Sequence, residues 1–70
     1  MEKEILYLIR ENYYHTAVIK ASMDKLNESY RELKLLGVDN GVLEDLTEAI
    51  SHLESAKKLM EEASECLKTP

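Results

Sequence analysis

The sequence predicts an all-α fold: an antiparallel two-helix hairpin that dimerises into a four-helix bundle. Three observations support this prediction. The 70 residues include only two glycines and one proline, so the frequent turns of a small β-protein are missing. The segment Leu36–Gly41 is the only strong break between two long runs of good helix formers. The second run carries an apolar heptad repeat, which is typical of a helix that packs along another helix.

The limits of the helices follow from start and stop signals. The first helix is predicted over about residues 2–36, the turn over 37–39 and the second helix over about 40–68. Thr69–Pro70 is expected to end the second helix. A chain of this length suits one small domain, so we expect a single helical hairpin over residues 1–70.

The residues of the turn predict its geometry. Gly37 suits the left-handed residue that follows a helix C-terminus, with Val38 folding back onto Leu33 in a Schellman motif. Asp39 is placed to cap the second helix, and Val38 and Leu43 are expected to form a hydrophobic staple around that cap. Because the connection is short, the two helices should be antiparallel neighbours.

The second helix carries the clearest pattern in the sequence. Its apolar residues follow alternating steps of four and three, which predicts a coiled-coil-like seam. One of the two seam positions is alanine three times in succession, so we expect an Ala-bearing seam that lets the facing helix approach closely. The predicted seam consists of Val42, Leu46, Ala49, Leu53, Ala56, Met60, Ala63 and Leu67.

The first helix has more apolar residues than one partner helix can cover. Its main stripe consists of Ile5, Leu8, Ile9, Ile19, Met23, Leu26, Tyr30 and Leu33. A second apolar surface on the N-terminal half consists of Leu6, Tyr13, Tyr14, Ala17, Val18 and Ala21. Because a lone hairpin would leave this second surface in water, we expect a homodimer or a higher oligomer. An assembly with a different protein would bury the same surface, so this alternative stays open.

The N-terminal half of the first helix is also the predicted site for a protein partner. Tyrosine and arginine are frequent anchors of protein interfaces, and three of the four tyrosines lie in this half. The alternative is that the tyrosine rings only cover apolar surface at the rim of the bundle. The predicted partner-binding residues are Leu6, Tyr7, Arg10, Tyr13, Tyr14, Ala17 and Val18.

Polar residues occur where the two helices should meet. Asn12, His15 and Thr16 interrupt the main stripe of the first helix, and Ser64 lies on the stripe of the second. We interpret them as a polar core layer that specifies the register of the helices. The alternative is a ligand site in the bundle. The histidines follow Glu-x-x-x-His spacing rather than the Glu-x-x-His of di-metal bundles, so no metal and no cofactor are predicted.

Composition and missing motifs exclude several functions. The net charge of −5 comes entirely from the second half, which disfavours broad binding to nucleic acid or to an anionic membrane. A single cysteine, Cys66, rules out a disulfide scaffold within the chain and suits a reducing compartment. No leader or membrane-spanning run is visible, so we expect a cytoplasmic protein. No phosphate loop or Ser-His-acid context occurs, so no catalytic residue is predicted.

These observations predict a small non-enzymatic interaction protein, a homo-oligomeric regulator, inhibitor or adaptor. The outline of two helices and one tight turn is shared with Rop-type RNA-binding dimers. RNA binding is therefore one alternative function. A helical bundle that holds a small molecule in its polar layer is another. No residue motif selects among the three.

Overall fold

A computed structural model describes residues 2–68 of the chain. It contains two helices, α1 over Glu2–Leu35 and α2 over Asn40–Lys68, which pack against each other as a hairpin with Cα extents of 53 × 14 × 12 Å. The predicted hairpin is confirmed, although α1 ends one residue earlier than expected. The expected stop at Thr69–Pro70 lies outside the described residues. Within those residues, neither helix is long and apolar enough to cross a membrane.

The end of α1 has the predicted Schellman motif. Gly37 adopts a φ of 74°, the left-handed conformation that glycine reaches without a steric penalty. The Val38 amide donates to the carbonyl of Leu33 over 3.3 Å, and the Gly37 amide donates to the carbonyl of Lys34 over 3.2 Å. Both bonds satisfy carbonyls that the end of a helix would otherwise leave unpaired.

Asp39 caps the start of α2 as predicted. The Val42 amide donates to the carbonyl of Asp39 over 3.0 Å, and the Gly41 amide donates to its Oδ1 over 3.4 Å. Leu43 is buried and Val38 is half-buried, as the predicted staple requires. These local bonds reverse the chain within a few residues and hold the helices side by side.

The seam of α1 is a continuous heptad repeat. Buried and half-buried residues alternate at steps of four and three along its whole length. Asn12 and Thr16 occupy regular positions of this repeat. Leu8, which was expected on the stripe, is instead half exposed because it lies one position to the side of the repeat. The seam consists of Ile5, Ile9, Asn12, Thr16, Ile19, Met23, Leu26, Tyr30 and Leu33.

The seam of α2 differs from the prediction at one of its two positions. The row that contains the three alanines lies at the edge of the seam, and Ala49 and Ala63 are exposed. The following row takes its place. At Leu43 and Ile50 this buries a side chain that contributes about 1.5–3 kcal/mol, more than an alanine methyl group can, whereas the same row brings Lys57 and Ser64 into the seam. The observed seam consists of Leu43, Leu46, Ile50, Leu53, Lys57, Met60 and Ser64.

The rotation of α2 also brings a lysine into the seam. The Lys57 side chain is only 24% exposed, and its ammonium lies 2.7 Å from the carboxylate of Glu61. Its methylene groups can therefore cover apolar surface while the charge reaches the edge. The hydrogen bond to Glu61 raises the pKa of Lys57 above its ordinary value.

Candidate protein interaction surface

All seven residues of the predicted partner-binding surface are exposed in the hairpin. Tyr7 and Tyr14, one heptad apart, lie on the side of α1 that points away from α2, with exposures of 60% and 63%. Arg10 and Ala17 lie beside them by the same periodicity, while Leu6 and Tyr13 lie toward one edge and Val18 toward the other. The surface therefore wraps around the outward side of the helix.

The rest of α1 has a different outward surface. Every large apolar side chain of α1 that is exposed between its start and residue 34 lies between Leu6 and Val18. From residue 19 to residue 34 the exposed positions are small, polar or charged. Apart from Leu35 at the end of α1, the exposed large apolar side chains of this helix therefore lie in the half that is far from the turn.

Tyr13 connects this surface to the end of α2. The Lys68 ammonium donates to the Tyr13 hydroxyl, lies 4.5 Å from the centroid of its ring and is 3.4 Å from a carboxylate oxygen of Glu65. The hydrogen bond to Tyr13 is the main cause of the raised pKa of Lys68. Sequence reasoning missed this lysine. The antiparallel register, which places Ile9 beside Lys68, is the signal that could have identified it.

His15 belongs to the exposed surface and not to the seam. Its side chain is 56% exposed, and its Nε2 lies 3.4 Å from the carboxylate of Glu11. The rings of Tyr14 and His15 meet edge to face with centroids 5.3 Å apart. The expectation that His15 shares a buried layer with Asn12 and Thr16 is therefore wrong, because its position falls outside the heptad repeat of α1.

The remaining polar residues lie in the seam. The Thr16 hydroxyl donates to the carbonyl of Asn12 over 2.6 Å, so helix α1 satisfies it internally. Ser64 is 1% exposed, and its hydroxyl has no hydrogen-bond partner among residues 2–68. A shallow groove beside this layer is lined by Thr16, Glu61 and Glu65 among others, but not by Asn12 or Ser64. These contacts favour a packing role for the layer.

The two Glu-x-x-x-His pairs form contacts within single helices. Glu11 pairs with His15, and Glu48 lies 3.6 Å from His52. Across residues 2–68, no three His, Cys, Asp or Glu side chains come together in a way that could hold a metal ion. Each pair is a carboxylate–imidazole contact between exposed side chains of one helix.

Comparisons with known protein families, with curated proteins and with solved structures find no match to this chain.

Proposed function

We propose that this chain is a small non-enzymatic interaction protein that acts as a homo-oligomer and binds another protein through the N-terminal half of α1. It would serve as a regulator, an inhibitor or an adaptor. The proposed binding residues are Leu6, Tyr7, Arg10, Tyr13, Tyr14, Ala17 and Val18.

The concentration of exposed large apolar side chains in one half of α1, with Leu35 as the exception, supports this proposal. A helix that is apolar on every side is typically buried in a larger assembly, and residues 5–9 of α1 are apolar without interruption. Tyrosine and arginine side chains dominate the binding energy of many protein interfaces, and this half of α1 exposes Tyr7, Arg10 and Tyr14. Their exposure leaves them available for a partner.

Affinity capture from a lysate of the source organism tests the proposal. The intact chain should retain one partner in stoichiometric amount, and Tyr14→Glu should reduce its recovery at least tenfold by placing a charge in the interface. Leu35→Glu is the matched control, because Leu35 lies on the same outward row but next to the turn, and it is 88% exposed. Recovery with Leu35→Glu should equal that of the intact chain.

Two results would contradict the proposal. One is capture of no stoichiometric protein by the intact chain. The other is equal loss with both variants, which would indicate a general effect of added negative charge. Circular dichroism of each variant should show unchanged helix content, so that unfolding does not explain a loss of binding.

RNA binding is a second candidate, and the arrangement of bases along α1 favours it. Five of its six bases fall on one side by helical periodicity, and all five are exposed: Lys3, Arg10, Lys20, Arg31 and Lys34. Acidic residues of α2 lie along the same side, which weakens the positive potential. A gel shift with structured RNA at low salt, lost as salt is raised, would support this candidate, and no shift at low salt would reject it.

A further inference from the structure

The hairpin has two long open faces, one on each side of the seam. Tyr13 and Glu61 line one groove, and Asn27 and Thr47 line another. The row of α1 that contains Tyr13 and Asn27 therefore lies on the same side of the hairpin as the row of α2 that contains Thr47 and Glu61. We call this side the charged face. Helical periodicity gives it ten positions next to the seam, and five of them are charged: Lys20, Lys34, Glu54, Glu61 and Lys68.

The opposite side, here called the uncharged face, has the mirror-related rows. The row of α1 consists of Leu8, His15, Ser22 and Ser29, and Leu36 continues it directly after the helix. On α2 the row is Val42, Ala49, Ala56 and Ala63. None of these positions holds Asp, Glu, Lys or Arg, in a sequence that is 33% charged. Apart from His15, the residues of both rows are apolar or small. With the seam, each row therefore widens the stripe to three positions per heptad, the width typical of a helix in a bundle.

The exposed area of the chain indicates that one interface is missing. A compact globular chain of 8.1 kDa exposes about 4,500 Å². This hairpin exposes 5633 Å², which is about 1,100 Å² more than that expectation. A stable protein interface typically covers about 800 Å² on each partner. One additional interface of ordinary size would therefore remove most of this excess, leaving about 4,800 Å² exposed.

We infer that the uncharged face is the interface with a second copy of this chain, which completes a four-helix bundle. Small side chains at Ser22, Ala49 and Ala56 allow the helices to approach closely, and Leu8 and Val42 supply apolar area toward the two ends. Two identical uncharged faces can meet without burying an Asp, Glu, Lys or Arg side chain, whereas the charged face would bury five charged side chains on each copy, of which only Glu61 and Lys68 are paired within residues 2–68 of the hairpin. The inference rests on the homo-oligomeric part of the proposed function and not on binding to another protein.

Two exposed apolar residues lie at the border of this face. Val18 and Leu59 are 46% and 65% exposed. The register that places Thr16 and Glu61 in one groove puts them at the same level of the hairpin. A two-fold axis parallel to the helices brings Val18 of one copy against Leu59 of the other. Both turns then lie at the same end of the bundle.

Sedimentation of the purified chain and two pairs of matched variants test the inference. The intact chain should sediment as a dimer at micromolar concentration. Ala49→Glu and Ser29→Glu should weaken the dimer at least 100-fold, because each buries an unpaired charge. Thr47→Glu is matched to Ala49→Glu, and Asn27→Glu to Ser29→Glu; each adds the same charge two residues away, on the charged face. These two controls should change the dissociation constant less than about threefold.

Several outcomes would overturn the inference. It would be overturned if the intact chain were monomeric at about 100 μM, a concentration at which a tight dimer persists. Equal weakening by the two members of a matched pair would also overturn it. Dissociation by Tyr14→Glu with no effect of Ala49→Glu would place the second copy on the N-terminal half of α1 instead. Because these measurements use the purified chain alone, they are independent of partner capture.

Disulfide trapping tests the orientation. Chains with Val18→Cys and with Leu59→Cys, both in a Cys66→Ser background, should form a mixed disulfide when combined and oxidised. Disulfides that form only between identical chains would overturn the proposed direction of the two-fold axis.

Discussion

The two halves of the hairpin distribute their apolar side chains in opposite ways. In the turn half, residues 20–56, the seam is apolar and the outward side of α1 is polar up to residue 34. In the open half, residues 2–19 and 57–68, half of the seam positions are polar and the outward side of α1 carries exposed tyrosine and aliphatic side chains beside charged ones such as Arg10.

Specific residues show the contrast. Leu26 and Ile50 occupy the seam of the turn half, where Asn27 shares a groove with Ile50. In the open half, the seam positions include Asn12 and Lys57, while Tyr14 faces outward with 63% of its surface exposed. The turn half therefore buries apolar side chains along its seam, while Leu35, Leu36 and Val42 beside the turn stay exposed. The open half leaves its apolar surface for other molecules, and this is the physical basis of the proposed function.

The largest expected effect comes from removing apolar volume in each half. Leu43→Ala in the turn half should lower the free energy of unfolding by about 2–3 kcal/mol, because Leu43 is buried. Met60→Ala in the open half should cost only about 1 kcal/mol, because Met60 is half-buried at the level of Thr16. Urea denaturation at one fixed protein concentration measures both. Equal losses would mean that the two halves contribute alike, contrary to this comparison.

The turn itself should show the next largest effect. Gly37→Ala should destabilise the hairpin by about 1–2 kcal/mol, because alanine is strained at positive φ. The added Cβ would meet no atom within 4 Å, so a steric clash does not contribute. Gly41→Ala is the control: its Cβ would lie 3.7 Å from Asp39 Oδ2, an ordinary contact, and alanine should stabilise α2 by up to about 1 kcal/mol. Thermal melts that show the opposite order would contradict the assigned turn geometry.

The smallest expected effect concerns the polar seam of the open half. Ser64→Ala should stabilise the hairpin by about 1 kcal/mol, because it removes a buried hydroxyl that has no hydrogen-bond partner among residues 2–68. Ser55→Ala at an exposed position of α2 should change stability by less than about 0.5 kcal/mol. Chemical denaturation distinguishes the two. A clear loss of stability with Ser64→Ala would show that the hydroxyl has a partner in solution and that the polar layer contributes to the fold.

Much of the candidate site could be predicted from the sequence, because exposure on a two-helix hairpin follows from helical periodicity. Leu6, Tyr7 and Tyr14 lie off any repeat that faces α2, and they are exposed as expected. The contact between Lys68 and Tyr13 could not be predicted in the same way. It joins side chains at opposite ends of the sequence, and its formation depends on the exact register of two helices.

The sequence by itself determined the two helices and their connection, since helix propensity, Gly37 and Asp39 act through local bonds within a few residues. Only the tertiary structure decided which side of α2 faces α1. Two heptad repeats are possible in α2. One pairs the row of Leu46 with the row that begins at Val42, and the other pairs it with the row that begins one residue later, at Leu43. The choice depends on the total area buried against α1, which no short segment contains. That rotation moved the alanine row out of the seam and onto an open face.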